Sequence, residues 1–354
     1  MTDLWITLGP SSLDRLDELV SLGVKGVRLT FSFGTPQLQE ERARAAKSAA
    51  VRCGTYCLTI ADLPGEKVRL GMFDGEDTVA VEAGQLYEIV VSGNENPSVS
   101  RKLPLPHATF VSSLSVGDSI VIGDGSAVLT VESTHIDGAI TRAKYSGSIN
   151  QTRGVTLQAG SFVPKCMTLE DERSLRFVAK SDAFDMVALS FVSSGSDVSV
   201  ARSVLQGYGR EMPVIAKIET AVGVDRLEEI CHASDMVMAA RGDLALCMPW
   251  YELPKSVERI ADVATRTGTP WVLATQIAEG LERFALPTRA EMCDLAHWLQ
   301  RGCSAVMLSY ETVFGSNAAG AAACTQTLLE RWGNTIDDAS DVVAVGHLRQ
   351  SDSG

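Results

Sequence analysis

Short apolar runs alternate with amphipathic stretches along most of this chain. The runs are nearly continuous, which is typical of parallel strands buried on both faces, and the stretches between them carry apolar residues at helical spacing. The predicted strands are residues 4–8, 26–29, 55–61, 185–189, 214–218, 236–240, 271–274 and 305–308. The predicted helices are residues 11–22, 37–52, 196–206, 223–232, 255–267, 289–300 and 318–332, with another helix that begins after Thr168. Eight strands in this rhythm predict an α/β fold, the (β/α)8 TIM barrel.

The rhythm stops near Arg69 and returns at Thr168, and the chain between them has a different pattern. Residues 78–82, 87–91, 119–122 and 127–131 alternate or are rich in β-branched side chains, and turns containing Gly and Asp separate them. We therefore predict a small all-β, barrel-like lid domain at residues 70–156, inserted after strand 3 of a barrel formed by residues 1–69 and 157–336. Residues 337–354 are rich in Asp, Ser and Gly, which predicts a flexible tail.

Composition narrows the class of protein. The 354 residues are 45% hydrophobic and 21% charged, as in ordinary globular proteins, and the net charge of −13 argues against nucleic acid as a partner. No apolar run approaches the roughly 20 residues of a membrane span, and the first residues lack the features of a signal peptide. The eight cysteines include no CxxC pair, which favours a reducing, cytoplasmic setting.

The most informative motif is Lys217-Ile218-Glu219, which ends one apolar run, followed by Arg241-Gly242-Asp243 at the end of the next. Alternate residues of a strand share a face, so Lys217 and Glu219 point the same way. Two carboxylates and an ammonium at neighbouring strand ends suit a divalent cation and an oxygen-rich anion. An ion-pair network that closes the mouth of a barrel is the structural alternative.

Chemistry in such barrels collects at the carboxyl ends of the strands. Ionisable and polar groups are dense there: Arg28, Thr30 and Ser32, then Asp62, Lys67 and Arg69, then Lys217 and Glu219, Arg241 and Asp243, Thr275 and Gln276, and Ser309 and Glu311. Desolvating an uncompensated ion costs several kcal/mol, so stability alone does not explain this concentration of charge. The balance of acids and cations fits a metal and a polyanionic substrate such as a phosphate ester.

Beyond these motifs, several longer segments match one family in order. They are Gly9-Pro10-Ser11-Ser12, the segment from Arg28 to Gly34, the segment from Asp62 to Arg69, Lys217-Ile218-Glu219, the segment from Ala240 to Leu244, Ala274-Thr275-Gln276, the segment from Pro287 to Glu291, and the segment from Met307 to Thr312. The chain resembles pyruvate kinases from about Leu4 to Trp332, lid included. The resemblance implies a Mg²⁺-dependent phosphotransferase that moves a phosphoryl group between phosphoenolpyruvate and ADP to give pyruvate and ATP, the glycolytic reaction. It also leads us to expect a divergent short form, without the family's C-terminal domain or regulation through it.

The resemblance also implies a role for each matching residue. Glu219 and Asp243 would hold Mg²⁺ or Mn²⁺, Arg28 and Arg69 would clamp the phosphoryl group, and Lys217 would neutralise charge as that group leaves the enolate. Further expected roles are the binding of substrate by Gly242, Asp243, Arg241, Ser32 and Asp62, protonation of the enolate near Thr275, and contact with the nucleotide by Arg153 and Pro10.

Lys67 distinguishes two branches of the family. Many members have Glu at this position and need K⁺, whereas others have Lys, whose ammonium substitutes for that ion. Lys67 is accompanied here by Leu63 and Thr30 in place of residues that help to bind K⁺. We therefore predict that K⁺ is not required, against the alternative of a solvated surface lysine.

The sequence departs from the family around the expected substrate and nucleotide. Phe33 stands where the family has His, Ala245 and Cys247 replace Gly and Glu, and Ser193 replaces Arg. Tyr310 replaces Gly and Arg301 replaces Asp near the last strand. Each change alone is explained by tolerated packing, but together they fit a modified acceptor or donor, or a specialised role, better than a housekeeping enzyme. The expected substrates are phosphoenolpyruvate or a related 2-oxo acid, and ADP or ATP. The alternatives are a 2-oxo acid enolate lyase or aldolase on a related barrel, and a non-catalytic regulatory homologue. We also expect a homo-oligomer.

Overall fold

The structure, a computed structural model, describes residues 2–73, 77–91 and 102–333. Its strands, in chain order, are β1 (Asp3–Thr7), β2 (Val24–Thr30), β3 (Leu58–Leu63), β4 (Thr78–Val81), β5 (Leu86–Val90), β6 (Lys102–Pro104), β7 (Ser119–Ile122), β8 (Ala127–His135), β9 (Gly138–Ala143), β10 (Gly147–Asn150), β11 (Val155–Gln158), β12 (Met186–Leu189), β13 (Val214–Ile218), β14 (Met236–Ala240), β15 (Trp271–Ala274) and β16 (Ala305–Leu308). Its α-helices are α1 (Leu16–Ser21), α2 (Pro36–Arg52), α3 (Ala108–Ser112), α4 (Leu169–Lys180), α5 (Gly195–Gly207), α6 (Ala221–Asp225), α7 (Leu227–Ala233), α8 (Arg241–Cys247), α9 (Leu253–Thr267), α10 (Arg289–Gln300), α11 (Tyr310–Val313) and α12 (Ala318–Trp332).

Eight of these strands form a closed barrel in the order β1-β16-β15-β14-β13-β12-β3-β2, which confirms the predicted (β/α)8 barrel. Every residue of β13 and β14 is buried, so neither strand has a polar face, and this explains why their sequences are continuous rather than alternating apolar runs. The four predictions at residues 214–218, 236–240, 271–274 and 305–308 have the bounds that the structure shows.

The chain divides into two compact units. The first comprises Met1–Leu29, Glu41–Thr59 and the chain from Pro270 onward. In it, β1 pairs in parallel with β2 and with β16, and β15 pairs with β16. Trp271 of β15 packs edge-on against Trp298 of α10, with 6.1 Å between their ring centroids.

The second unit comprises Thr30–Glu40 and Ile60–Thr269. Its barrel strands β3, β12, β13 and β14 are consecutive neighbours, all parallel, with Met186 opposite Ile60, Val187 opposite Val214 and Ile215 opposite Met236. Because the strands run in one direction, their carboxyl ends lie side by side.

The insertion in the second unit is built of β-strands, as its sequence predicts. A six-stranded sheet has the order β11-β7-β8-β9-β5-β6, and β10 pairs with β4 in a separate two-stranded sheet. Buried side chains between Val68 and Leu157 form a hydrophobic cluster, with Phe110, Ile120 and Leu129 fully buried. The last strand of this sheet ends at Gln158, two residues past the predicted boundary, and the division into a barrel domain and a lid domain stays a prediction. The predicted tail lies outside the described residues.

Two predicted helices differ from the structure. The helix predicted at residues 223–232 is two helices, α6 and α7, because Arg226 takes a non-helical ψ of 18° between them. In place of the single helix predicted at residues 11–22, the structure has a short 3-10 turn, Leu13–Arg15, followed by α1. Arg15 has a non-helical backbone conformation and separates the two. Helix α4 begins where predicted, since Thr168 and Asp171 form a capping box. Among the described residues, no helix is long and apolar enough to cross a membrane.

Candidate active site

The carboxyl ends of four neighbouring strands in the second unit bring together one cluster of polar side chains. Asp62 lies near the end of β3, Lys217 near the end of β13, and Ser190 follows β12 directly. Glu219 is the first residue after β13, and Asp243 lies in the first turn of α8, which follows β14 without a loop. Local sequence therefore places each of these groups, because each lies within the last two residues of a barrel strand or within three residues after it.

Lys217 is the centre of this cluster. Its ammonium lies 3.2 Å from Asp62 Oδ1 and 3.1 Å from Glu219 Oε1, and it donates a hydrogen bond of 2.8 Å to Ser190 Oγ. Only 9% of the Lys217 side chain is exposed, against 4% for each of the two carboxylate side chains. One ammonium and two buried carboxylates have a net charge of −1, which a further cation would neutralise.

These neighbouring charges affect the pKa of Glu219. Burial raises the pKa of Glu219, the Lys217 ammonium opposes that shift, and the carboxylates of Asp243 and Asp62 reinforce it. The second carboxylate oxygen accepts a 2.8 Å hydrogen bond from the backbone N–H of Phe191. The carboxylate is therefore oriented by two partners while its surroundings disfavour its negative charge, which is the electrostatic situation that a divalent cation relieves.

Ser190 and Phe191 are contacts that the sequence analysis missed. Phe191 has a φ of 54°, in the left-handed region that bulky side chains avoid, at a cost of about 1–3 kcal/mol. That backbone turn aims its N–H at Glu219, while Ser190 Oγ donates to Leu63 O at 2.7 Å. The signal in the sequence is position, because both residues directly follow the strand predicted at residues 185–189.

Lys67 contacts the second expected metal ligand. Its ammonium forms an ion pair with Asp243 Oδ1, and the two side chains are 24% and 23% exposed. The same ammonium lies 5.9 Å from the centroid of the Phe191 ring. Lys67 is thus not a solvated surface lysine, but a cation within the cluster.

The donor set fits Mg²⁺. Mg²⁺ prefers carboxylate oxygens and is commonly held by one or two carboxylates, with substrate phosphates and water completing its shell. Glu219 and Asp243 supply two such carboxylates, and burial together with the nearby Asp243 carboxylate raises the pKa of Glu219. Within the described ranges, no group of three or more His, Cys, Asp or Glu side chains could hold a metal. The chemistry of the two acids therefore suits a magnesium ion whose coordination a substrate completes.

Other predicted site residues of the second unit lie on or near its surface. Arg69 is exposed and donates a 3.3 Å hydrogen bond to the backbone oxygen of Thr152. Arg153 and Ser32 are also exposed, and Arg241 and Gly242 are partly buried at the start of α8. Their proposed contacts with substrate or nucleotide stay predictions.

Three further predicted residues belong to the first unit. Arg28 lies in β2, Pro10 is exposed in the segment after β1, and Thr275 follows β15. Thr275 and Gln276 are consecutive non-glycine residues with φ of 76° and 54°, which marks a strained corner. The roles given to these residues by resemblance stay predictions.

Glu311 supports that corner. It is fully buried, and its Oε1 accepts hydrogen bonds of 3.0 Å from the N–H groups of Ile277 and Ala278. Its Oε2 accepts a third, of 2.8 Å, from Ser309 N. The sequence showed Glu311 at a strand end but gave no reason to link it to the Thr275–Gln276 corner, because the link depends on the fold of the loop.

Comparisons of the sequence with known proteins identify its family and relatives. The family described as "Pyruvate kinase, barrel domain" matches residues 1–321. A pyruvate kinase of Corynebacterium glutamicum is 33% identical over 318 residues, which are 89% of this chain and 66% of that protein. One of Mycobacterium tuberculosis is 33% identical over 314 residues, 87% of this chain and 65% of the relative. One of Thermotoga maritima is 32% identical over 321 residues, 89% and 67% of the respective chains. The chain thus spans about two thirds of the length of these curated relatives.

Proposed function

The chain belongs to the pyruvate kinase family, and on that premise we propose that it transfers a phosphoryl group between phosphoenolpyruvate and ADP with the help of Mg²⁺. The observation that carries the proposal is the buried Lys217 ammonium between Asp62 and Glu219, beside an acid pair suited to a divalent cation. Phosphoryl transfer needs positioning and charge stabilisation more than covalent chemistry by the protein, and this cluster offers both.

The reaction balances with one proton supplied by solvent water. The bond between phosphorus and the enol oxygen breaks, a bond between phosphorus and a terminal oxygen of ADP forms, and the enolate takes up a proton at its methylene carbon. The Lys217 ammonium is fixed by Ser190 and two carboxylates, so it meets the developing negative charge without reorganising.

Glu219 and Asp243 are the residues that would hold Mg²⁺, and a bound Mg²⁺ would neutralise phosphate charge and orient the substrate. The Phe191 N–H donates a hydrogen bond that holds one oxygen of Glu219, and the Lys67 ammonium forms an ion pair with Asp243. Lys67 supplies a permanent positive charge at a position where related enzymes use K⁺, and we therefore propose that turnover needs no monovalent cation. Arg28 and Thr275 keep, as predictions, the roles that the resemblance gives them.

The decisive experiment measures pyruvate release from phosphoenolpyruvate and ADP with Mg²⁺, and after removal of the metal by EDTA. We expect turnover that requires the metal, and a loss of about 10²–10³-fold in kcat for Lys217→Met, the range for removal of one charge-stabilising group. Lys25→Met is the control, because Lys25 is a partly buried lysine outside the cluster whose ammonium also donates to a hydroxyl, Thr55 Oγ1, at 2.7 Å in the first unit. Turnover that survives in Lys217→Met, or that is lost equally in Lys25→Met, would remove the proposed role.

The cytoplasmic location and the homo-oligomeric state expected from the sequence also remain proposals. Light scattering on the purified chain measures the second directly, and a monomer at working concentration would contradict it.

A further inference from the structure

We propose that Gln158 is a positioning residue for Asp243, and that it links the insertion to the affinity of the site for a divalent cation. The inference rests on the proposed role of Asp243 as a metal ligand. Gln158 is the last residue of β11, and Asp243 lies in the first turn of α8. Both residues belong to the second unit, and the contact that links them is made at the carboxyl end of α8.

Helix α8 is short, so Asp243 lies close to its carboxyl end. The helix comprises the seven residues Arg241–Cys247 and follows β14 without a loop. Asp243 and Cys247 are four residues apart, which places them on one face of the helix and about 6 Å apart along its axis. A displacement of the carboxyl end of α8 would therefore move Asp243 as well, because backbone hydrogen bonds hold this single turn together.

The end of a helix leaves backbone carbonyl groups without partners inside the helix, and the chain at the end of β11 supplies donors for two of them. Cys247 O accepts a 2.8 Å hydrogen bond from Ala159 N. Met248 O, at the C-cap of α8, accepts a 2.9 Å hydrogen bond from Gln158 Nε2. Two consecutive residues at the end of β11 thus hold two consecutive carbonyl groups at the end of α8.

The backbone turns sharply at this contact. Ala159 has a φ of 54°, in the left-handed region that residues other than glycine rarely adopt. Gly160 follows, and a Cβ on it would lie 2.3 Å from Leu157 Cδ2, so the turn also needs a residue without a side chain. The turn directs the N–H of Ala159 at α8. Strained backbone of this kind persists where the surrounding structure requires it, and such positions cluster at functional sites.

Both partners of this contact are attached to ordered elements. Strand β11 pairs with β7 in the antiparallel sheet of the insertion, where Gln158 lies opposite Ser119, and Leu157 is buried in the hydrophobic cluster of the insertion. On the other side, Met248 is buried, and its sulfur accepts a 3.3 Å hydrogen bond from Ser256 Oγ of α9. The position of the sheet therefore bears directly on the position of α8.

Charge and position contribute separately at Asp243. The Lys67 ammonium forms an ion pair with the Asp243 carboxylate, so a substitution that changes a charge nearby would alter metal affinity by itself. Gln158 is uncharged and half-buried, and methionine has a side chain of similar length without a hydrogen-bond donor. Gln158→Met therefore removes the hydrogen bond to Met248 O and leaves every charge in place.

The test measures the binding of Mn²⁺ to the full chain by calorimetry, without substrate, and amide hydrogen exchange in α8. We expect Gln158→Met to weaken Mn²⁺ binding about three- to tenfold, the range for loss of one hydrogen bond, and to accelerate exchange in α8. Excess Mn²⁺ should restore the rate of pyruvate release, which a general loss of structure would prevent. Wild-type Mn²⁺ affinity in Gln158→Met would overturn the inference.

Gln151→Met is the matched control. Gln151 is another half-buried glutamine of the insertion, and it accepts from Phe73 N at 3.1 Å and donates to Asp77 Oδ1 at 2.6 Å. We expect this variant to bind Mn²⁺ as the wild type does; equal weakening would show that the stability of the insertion, rather than Gln158, sets the affinity.

Asp243→Asn separates this inference from the proposed function. It should weaken Mn²⁺ binding more than Gln158→Met does, because it removes the charge of a ligand. If Asp243→Asn weakens binding and Gln158→Met does not, only the positioning role fails. Mn²⁺ binding that is the same with and without the Asp243 carboxylate would contradict the metal site itself, and the positioning role with it.

Discussion

At the scale of single residues, the candidate site is held by partners that fix charged groups before any ligand arrives. Lys217 has two carboxylates and a hydroxyl, Glu219 has an ammonium and a backbone N–H, and Asp243 has Lys67. Removing one member of a buried ion pair is strongly destabilising, because it leaves the other charge uncompensated. The site is therefore preorganised, and we expect each substitution in it to change both the catalytic rate and the free energy of unfolding.

Lys67 carries a prediction about monovalent cations. Replacing Na⁺ with K⁺ at a constant ionic strength of about 0.1 M should change the wild-type rate less than about twofold, because the Lys67 ammonium already neutralises Asp243. Lys67→Met should lower the rate at least about tenfold, and K⁺ should restore part of it. The measurement is a titration of the rate of pyruvate release with K⁺. Lys165→Met is the control, since its side chain is exposed. A wild-type rate that depends strongly on K⁺ would contradict this prediction.

Glu311 carries a second residue-scale prediction. Gln at this position would point an N–H donor at one of three backbone N–H groups, so Glu311→Gln should lower the free energy of unfolding by about 1–3 kcal/mol. The Thr275–Gln276 corner should then relax from its positive φ values. If Thr275 helps to protonate the enolate, hydrogen exchange at the methyl group of pyruvate should slow more than phosphoryl transfer. Glu330→Gln on the exposed face of α12 is the control, and equal slowing of both steps would contradict a positioning role.

At the scale of elements, the start of α4 depends on one capping box. Thr168 Oγ1 accepts from Asp171 N at 3.1 Å, and Asp171 accepts from Thr168 N at 2.9 Å and from Gly65 N at 3.1 Å. Thr168→Ala should cost about 1 kcal/mol, and Asp171→Ala more, because the latter also leaves Gly65 N without its acceptor. Urea unfolding measures both values. Equal effects would show that the link to Gly65 contributes nothing to stability.

The same scale shows what sequence could and could not predict. The bounds of β13 to β16 follow from nearly continuous apolar runs, because strands buried on both faces lack the alternation of apolar and exposed polar positions; Lys217 in β13 is the exception. The split between α6 and α7 could not be predicted, since residues 223–232 keep helical spacing through the break at Arg226. The convergence of Lys217, Glu219 and Asp243 was predictable from strand ends. The Phe191 contact was not, because it depends on a positive φ that Phe rarely adopts.

At the scale of the whole molecule, the inserted strands have a hydrophobic cluster of their own. Its members run from Val68 to Leu157, and Leu129 lies fully buried in the middle of the six-stranded sheet. A region with its own core can unfold without the rest of the chain, because local stability follows local burial. The insertion should therefore form a separate cooperative unit, even though the two compact units of the chain divide elsewhere.

Leu129→Ala tests that expectation. Deleting a fully buried leucine side chain should destabilise the insertion by about 2–5 kcal/mol. Amide hydrogen exchange should then accelerate in β7, β8 and β9, while the amides of β13 and β14 keep their wild-type protection, because those strands are buried in the barrel. Ile136→Ala is the control, since Ile136 is 96% exposed at the β8–β9 turn. Faster exchange of equal size in β13 and β14 would mean that the insertion and these barrel strands unfold as one unit.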